Sequence, residues 1–156
     1  MQALNFVART TKDIDVIGIF NSGNITFARF SPLFLEQLTL CAKTFGLPEN
    51  WFNTGPEEYI KSGLPSGLLQ RLTWKEYGNN LSLGYISRID QIFFKLYASV
   101  DRGGYHVEDL LTLRPALDEL IAAAHWTCEQ DPSEGFIALL RSMLQQLGFE
   151  DVAAKI

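Results

Sequence analysis

The sequence predicts an α+β fold, with a small mixed β-sheet in the first half and a helical C-terminal half packed against it. Three observations point there. Residues 1–86 carry short apolar runs broken by Asn/Ser/Gly and Gly/Asn clusters, the punctuation of strands and turns, with one helical stretch among them. From residue 87 onward the apolar positions recur at helical spacing. The chain has 156 residues, 47% apolar and 20% charged, which suits one domain with a sizeable core and not disorder. No internal repeat and no linker divides it. A single domain over 1–156 is therefore expected, mainly sheet plus one helix over 1–86 and helical over 87–156.

In order, Arg9 to Phe20 reads as a turn running into a buried strand whose apolar part is Val16–Phe20. The cluster Asn21-Ser22-Gly23-Asn24 turns the chain, and Ile25–Phe30 is its hairpin partner. Ser31-Pro32 opens a helix, with the hydroxyl as N-cap and proline at the first helical position. Leu33, Phe34, Gln37, Leu38, Cys41, Ala42 and Phe45 form its apolar face, and Gly46 stops it. Residues 47–67 are irregular apart from a short helical piece, with Trp51 and Phe52 as anchors. Leu68–Tyr77 and Asn80–Ile86 read as strands joined across Gly78-Asn79. Ser87 with Asp90 is a capping box opening a helix that buries Ile89, Ile92, Phe93, Leu96, Tyr97 and Val100. A loop follows over 101–106, then a short helix over Val107–Leu113. Pro115 begins a helix with Leu117, Leu120, Ile121, Ala124 and Cys128 on its core face. Asp131-Pro132 starts another, with Asp131 as N-cap and Phe136, Leu139, Leu140, Met143 and Leu147 as its stripe. Gly148 ends it before a last amphipathic turn.

The net charge is −5. Residues 1–78 balance at seven basic and seven acidic side chains, while 79–156 hold six and eleven. That distribution argues against general nucleic-acid binding through phosphate neutralisation. No run approaches the ~18 apolar residues of a membrane span, and the first residues lack a basic n-region, so no membrane association and no signal peptide are expected. Cys41 and Cys128 lie far apart in helical patterns, which suits packed thiols in a reducing, cytoplasmic compartment. His106 and His125 make no metal-ligand spacing.

Chemistry concentrates at Asp13 and Asp15. Residues i and i+2 of a strand share a face, and two carboxylates side by side at the entry of an apolar strand call for a cation. Mg²⁺ favours such oxygen donors. The plainer reading is a solvated strand end, with Asp13 shaping the turn. Lys95, on the flank of an apolar helix, reads by itself as a solvated or snorkelling lysine.

Three stretches resemble nucleotidyltransferase-like proteins of the DNA polymerase β superfamily. Within it, the match is to a bacterial family related to the AbiEii-type abortive-infection toxins. One stretch is Arg9-x-Thr11-x-Asp13-Ile14-Asp15. The second is the helix from Ser87 through Lys95-Leu96-Tyr97-Ala98. The third is Asp101-Arg102 followed by Val107-Glu108-Asp109. Glu129 to Phe136 adds support, and the stretches run in consistent order along the chain. The resemblance implies a nucleotidyltransferase-like core and Mg²⁺ held by Asp13 and Asp15. It also implies a nucleoside triphosphate flanked by Arg9 and Thr11, with Lys95 and Asp109 in nucleotide contact or acceptor activation. An ion pair between Arg102 and Asp109, bracing their loop, is the structural alternative. The family's third carboxylate lies on a neighbouring strand, and Glu76 is its candidate here as a further metal ligand.

The sequence departs from the family at its start. A Gly-Gly or Gly-Ser pair is expected about ten residues before the first aspartate, where backbone amides would cradle triphosphate. Met1 stands where a glycine would be, and Gln2 to Asn5 resemble the family's residues just after that pair. The expectation is a chain lacking that motif, either because its start lies upstream or because the cradle is lost. A missing edge strand would favour a homo-oligomer or a protein partner. Two functions are consistent with this pattern. One is a Mg²⁺-dependent nucleotidyltransferase acting on an unidentified acceptor. The other is a catalytically inactive interaction protein, toxin–antitoxin-like or regulatory.

Overall fold

The computed structural model describes residues 13–156. Arg9, Thr11 and the stretch Met1 to Asn5 lie outside the described residues. The described chain is mixed α and β, with small sheets and, among the described residues, seven α-helices. It divides into two compact units, residues 13–64 and Pro65–Ile156.

In the first unit, β1 (Ile14–Asp15) pairs in parallel with β4 (Phe52–Asn53), Ile14 opposite Phe52 and Asp15 opposite Asn53. The main chain extends this ladder at both ends, Ile14 N–H donating to Trp51 O at 2.5 Å and Val16 N–H to Asn53 O at 2.8 Å. Between these strands lies the expected hairpin, β2 (Ile19–Asn21) against β3 (Asn24–Thr26). It is shorter than the sequence suggests and is not buried, since Phe20 is exposed. Its two-residue turn explains the length. Ser22 and Gly23 both hold positive φ, 49° and 87°, as a type I′ turn demands. Gly18 is required at the approach to this hairpin, because a Cβ there would stand 2.4 Å from Thr26 O and 2.6 Å from Ile25 Cγ2.

Helix α1 (Pro32–Phe45) begins and ends as read from sequence. Ser31 Oγ accepts the Phe34 N–H, Pro32 opens the first turn, and Gly46 closes it at φ 62°. The Leu47 N–H reaches back to Ala42 O, the six-to-one bond of a Schellman end. The half-buried line is Phe34, Leu38, Cys41 and Ala42. Leu33 and Phe45, expected on that face, are 66% and 73% exposed. Leu33 is turned about 100° from Phe34, and Phe45 is the last residue of the helix. Phe34 stacks on Phe30 at 4.9 Å between centroids, and both meet Phe52 edge-on. The Trp51 indole donates to Leu38 O, so Trp51 and Phe52 anchor the following segment. That segment holds a 3₁₀ turn (Gly55–Glu58) and the short α2 (Tyr59–Ser62).

The second unit holds every fully buried side chain of the described residues. Its strands are β5 (Thr73–Tyr77) and β6 (Leu81–Tyr85), an antiparallel hairpin turning through Gly78 at φ 63°. Residues 69–71, expected in the first strand, form a 3₁₀ turn instead. Leu68 is buried there, and Arg71 reaches Asp90 with two bonds, of 2.5 Å and 3.2 Å. In place of the one mixed sheet expected, the described strands form three separate two-stranded ladders.

Helix α3 (Arg88–Arg102) opens on the expected capping box, Ser87 and Asp90 exchanging side-chain and backbone bonds. Asp90 is fully buried and also carries the Arg71 pair. The expected loop over 101–106 is only Gly103 and Gly104, both at positive φ. Glycine tolerates that conformation without strain, so α4 (Tyr105–Thr112) starts earlier than the sequence suggests. Helix α5 (Leu117–Gln130) buries Leu120, Ala123, Ala124 and Trp126, whereas Leu117, in its first turn, is exposed. Helix α6 (Glu134–Gln146) is capped by Ser133 and not by Asp131, because the Asp131 carboxylate accepts the Ser133 N–H ahead of the helix. It buries Leu140 and Leu144, leaving Leu139 exposed. The short α7 (Glu150–Ala153) adds Val152 and Ala153 to the core. Trp126 sits edge-on to Phe93, Phe94 and Tyr97. No helix of the described residues is long and apolar enough to cross a membrane.

Candidate functional site

Asp15 ends β1 and Asp13 immediately precedes it; both are exposed. The Asp15 carboxylate has a fixed neighbour. Asn53 Nδ2, opposite it on β4, donates to Asp15 Oδ1 at 2.8 Å. The other end of the same amide, Asn53 Oδ1, accepts the Gly55 N–H at 3.1 Å. The amide is thereby oriented from both ends, its NH₂ toward Asp15.

Asn53 also bears on the third carboxylate. Among the described residues the strand that pairs with β1 is β4, and its residue opposite Asp15 is the neutral Asn53. Glu76 belongs to the other unit, on β5, which pairs with β6 among the described residues. There it accepts the Ser82 hydroxyl across the hairpin at 2.5 Å. Among the described residues, no group of three or more His, Cys, Asp or Glu side chains gathers as a metal cage. Mg²⁺ is commonly held by one or two carboxylates, with water and substrate phosphate completing its octahedron. The exposed pair Asp13 and Asp15 fits that donor set.

The second group lies in the Pro65–Ile156 unit. Lys95 Nζ meets Asp109 Oδ2 at 2.7 Å, with side chains only 16% and 8% exposed. Asp109 sits on α4 and Lys95 on α3, joined by the Gly103-Gly104 turn, which brings residues 14 apart in sequence into contact. Lys95 is therefore neither solvated nor snorkelling. The Tyr105 ring, half-exposed at the start of α4, lies with its centroid 5.7 Å from the same ammonium, within reach of a cation–π attraction. Arg102 turns to its neighbour Asp101, with Nε 3.2 Å from Oδ2.

Two other ion pairs belong to the scaffold. Arg71 with Asp90 ties the turn before β5 to the first turn of α3. Arg88 binds Glu119 and the carbonyls of Leu113 and Arg114, which fixes the entry of α5. The Arg88 guanidinium holds the Glu119 carboxyl below the usual glutamate range, helped by the Ala116 N–H and opposed by burial. Cys41 and Cys128 are both free thiols, and burial pushes the Cys128 thiol up.

Sequence reasoning missed Asn53 and Tyr105. Asn53 lies in a two-residue strand, too short for any alternation to register. Tyr105 falls in a stretch whose glycines read as loop. Comparison of the chain with known protein families, with curated proteins and with solved structures found no match.

Proposed function

We propose that the chain is a Mg²⁺-dependent nucleotidyltransferase, moving a nucleotidyl group from a nucleoside triphosphate to an acceptor hydroxyl. The observation that supports this best is the Lys95–Asp109 pair. Two residues singled out by resemblance alone meet at 2.7 Å in a largely buried setting. A buried ion pair is costly to keep, and removing either partner is costlier.

In this reading Asp13 and Asp15 hold the cation, which supplies charge neutralisation at the phosphates and a lowered pKa at the acceptor hydroxyl. The hydroxyl oxygen forms the new bond to the α-phosphorus. The bond from that phosphorus to the bridging oxygen breaks, and pyrophosphate leaves with the electron pair. The hydroxyl proton passes to a base, and the resemblance gives Asp109 to nucleotide contact or to that activation of the acceptor. Lys95 takes the part that the resemblance gives it, nucleotide contact or acceptor activation, in a reaction that relies chiefly on positioning and charge neutralisation. Arg9 and Thr11 flank the triphosphate.

The test is binding of a fluorescent nucleoside triphosphate with and without Mg²⁺. Binding that needs Mg²⁺, is lost in Asp15→Ala and is weakened in Lys95→Ala supports the proposal. Binding indifferent to both the metal and the substitutions refutes it.

A second reading is a catalytically inactive nucleotidyltransferase-like interaction protein, toxin–antitoxin-like or regulatory. What favours it is the charge of residues 79–156, six basic against eleven acidic side chains, which suits docking to a basic partner. Sedimentation of the purified chain separates the two readings when combined with turnover. A stable monomer with robust turnover excludes the second.

A further inference from the structure

The Asn53 amide bears on Asp15 in a way that the nucleotidyltransferase reading does not supply. A carboxylate ligates a cation through one oxygen or through both. Mg²⁺ is small, demands near-ideal octahedral geometry and suits single-oxygen ligation, whereas Ca²⁺ takes more oxygens, often as two-oxygen carboxylates, in flexible geometry. Which mode is open to Asp15 depends on what its two oxygens already do.

Asp15 Oδ1 accepts the Asn53 Nδ2–H at 2.8 Å. The Asn53 amide cannot rotate away without losing the Gly55 N–H bond at its other end. The backbone pins both residues as well. Asp15 and Asn53 are direct partners in the β1–β4 ladder, and Val16 N–H donates to Asn53 O at 2.8 Å. Gly55 contributes by its lack of a side chain, since a Cβ there would press on Asn53 Oδ1 at 3.2 Å. Oδ1 of this exposed side chain is thus engaged within the protein, and Oδ2 is the other oxygen through which it can ligate.

We propose that Asn53 is a positioning residue that makes Asp15 a one-oxygen ligand and so sets a preference for Mg²⁺ over Ca²⁺ at Asp13 and Asp15. This rests on the reading of those two aspartates as cation ligands, and the experiment separates failure of that reading from failure of this inference. Asn53 does not touch the reacting atoms; it acts through Asp15. The chemistry also accounts for a neutral amide opposite Asp15. An acid there could not donate to Asp15 and would add oxygens that favour the larger ion.

The test measures Mg²⁺ and Ca²⁺ binding to the full chain, by each metal's displacement of Mn²⁺ followed by electron paramagnetic resonance. Wild type is compared with Asn53→Ala, Asn53→Asp and Asp15→Asn. Asn53→Asp keeps an acceptor for the Gly55 N–H and removes only the donor, so it serves if the alanine variant folds poorly. Wild type binds Mg²⁺ more tightly than Ca²⁺. In both Asn53 variants Mg²⁺ binding weakens by about tenfold, the lower end of what losing a hydrogen-bonded partner of a ligand costs in affinity, while Ca²⁺ binding does not weaken, so the ratio of the two dissociation constants shifts toward Ca²⁺. Circular dichroism stays as in wild type. A merely structural role would change both affinities by one factor and leave the ratio unmoved, and that result overturns the inference. Asp15→Asn abolishes binding of both metals. If it binds both as wild type does, the cation reading of Asp13 and Asp15 has failed, and the inference falls with it.

Discussion

Lys95 and Asp109 show at the scale of single residues what a sequence can and cannot disclose. Their identities are visible and their spacing places them on two elements, but nothing local says that they meet. A long-range ion pair has no sequence signature, and without the family resemblance Lys95 reads as a solvated side chain. The energetic consequence is testable. Lys95→Met removes the ammonium beside a carboxylate only 8% exposed and should destabilise the chain by about 3 kcal/mol in urea unfolding, the cost typical of breaking a buried pair. Asp109→Leu added to Lys95→Met should recover most of that loss, because the remaining charge is then gone too. Equal losses that simply add would contradict the pairing.

Arg88 and Glu119 supply a pH dependence at the same scale. The folded Glu119 carboxyl is held below its unfolded value, first by Arg88. A lowered carboxylate contributes stability that is full above its unfolded pKa, about 4.3, and is lost as pH falls through the folded value. Acid titration of the unfolding temperature should therefore show a fall below about pH 4.3. The fall should be shallower in Glu119→Gln, whose amide cannot titrate. Identical acid limbs in the two proteins would remove Glu119 from the account.

Elements with chemical punctuation are the legible ones. Helix α1 is fixed at both ends by Ser31, Pro32 and Gly46, and α3 by the Ser87–Asp90 box, because these signals act within four residues of themselves. Where two punctuations compete, the start is misplaced. Asp131 and Ser133 are both good caps, and the aspartate commits its carboxylate to the Ser133 N–H, which moves the helix start two residues on. The turn before β5 reads as strand from sequence because the pull of Asp90 on Arg71 comes from 19 residues away.

The β5–β6 hairpin offers its own prediction. Burial, and then the hydroxyl of Tyr77, push the Tyr85 phenol up to about 12; the two hydroxyls stand 2.8 Å apart on one face of the hairpin. A raised phenol contributes stability that is full below its unfolded pKa, about 10, and is lost as pH climbs toward the folded value. Ultraviolet titration should show one tyrosine ionising near pH 12, and Tyr77→Phe should move that ionisation to lower pH. No shift on removing the Tyr77 hydroxyl would mean that the bond has no part in it.

For the whole molecule, composition and element order convey the α+β character but not the pairing of strands. The β1–β4 ladder joins two-residue strands far apart in sequence, and such a pairing leaves no periodic trace. The fully buried side chains fall within Pro65–Ile156, from Leu68 to Val152. A fragment of residues 65–156 should accordingly unfold in a cooperative thermal transition by circular dichroism. A fragment that melts gradually would show that this core depends on the remainder of the chain.

The central proposal is nucleotidyl transfer, and the most direct measurement is transfer of label. The full chain is incubated with Mg²⁺, a bacterial lysate as acceptor source, and the four ribonucleoside triphosphates carrying radiolabel at the α-phosphate. Wild type should move label into acid-insoluble or chromatographically shifted product, with Asp15→Ala and Asp109→Asn at background and no transfer after chelation. Label transfer that persists unchanged in Asp15→Ala and Asp109→Asn, or none at all from a wild-type chain that is folded, would contradict it.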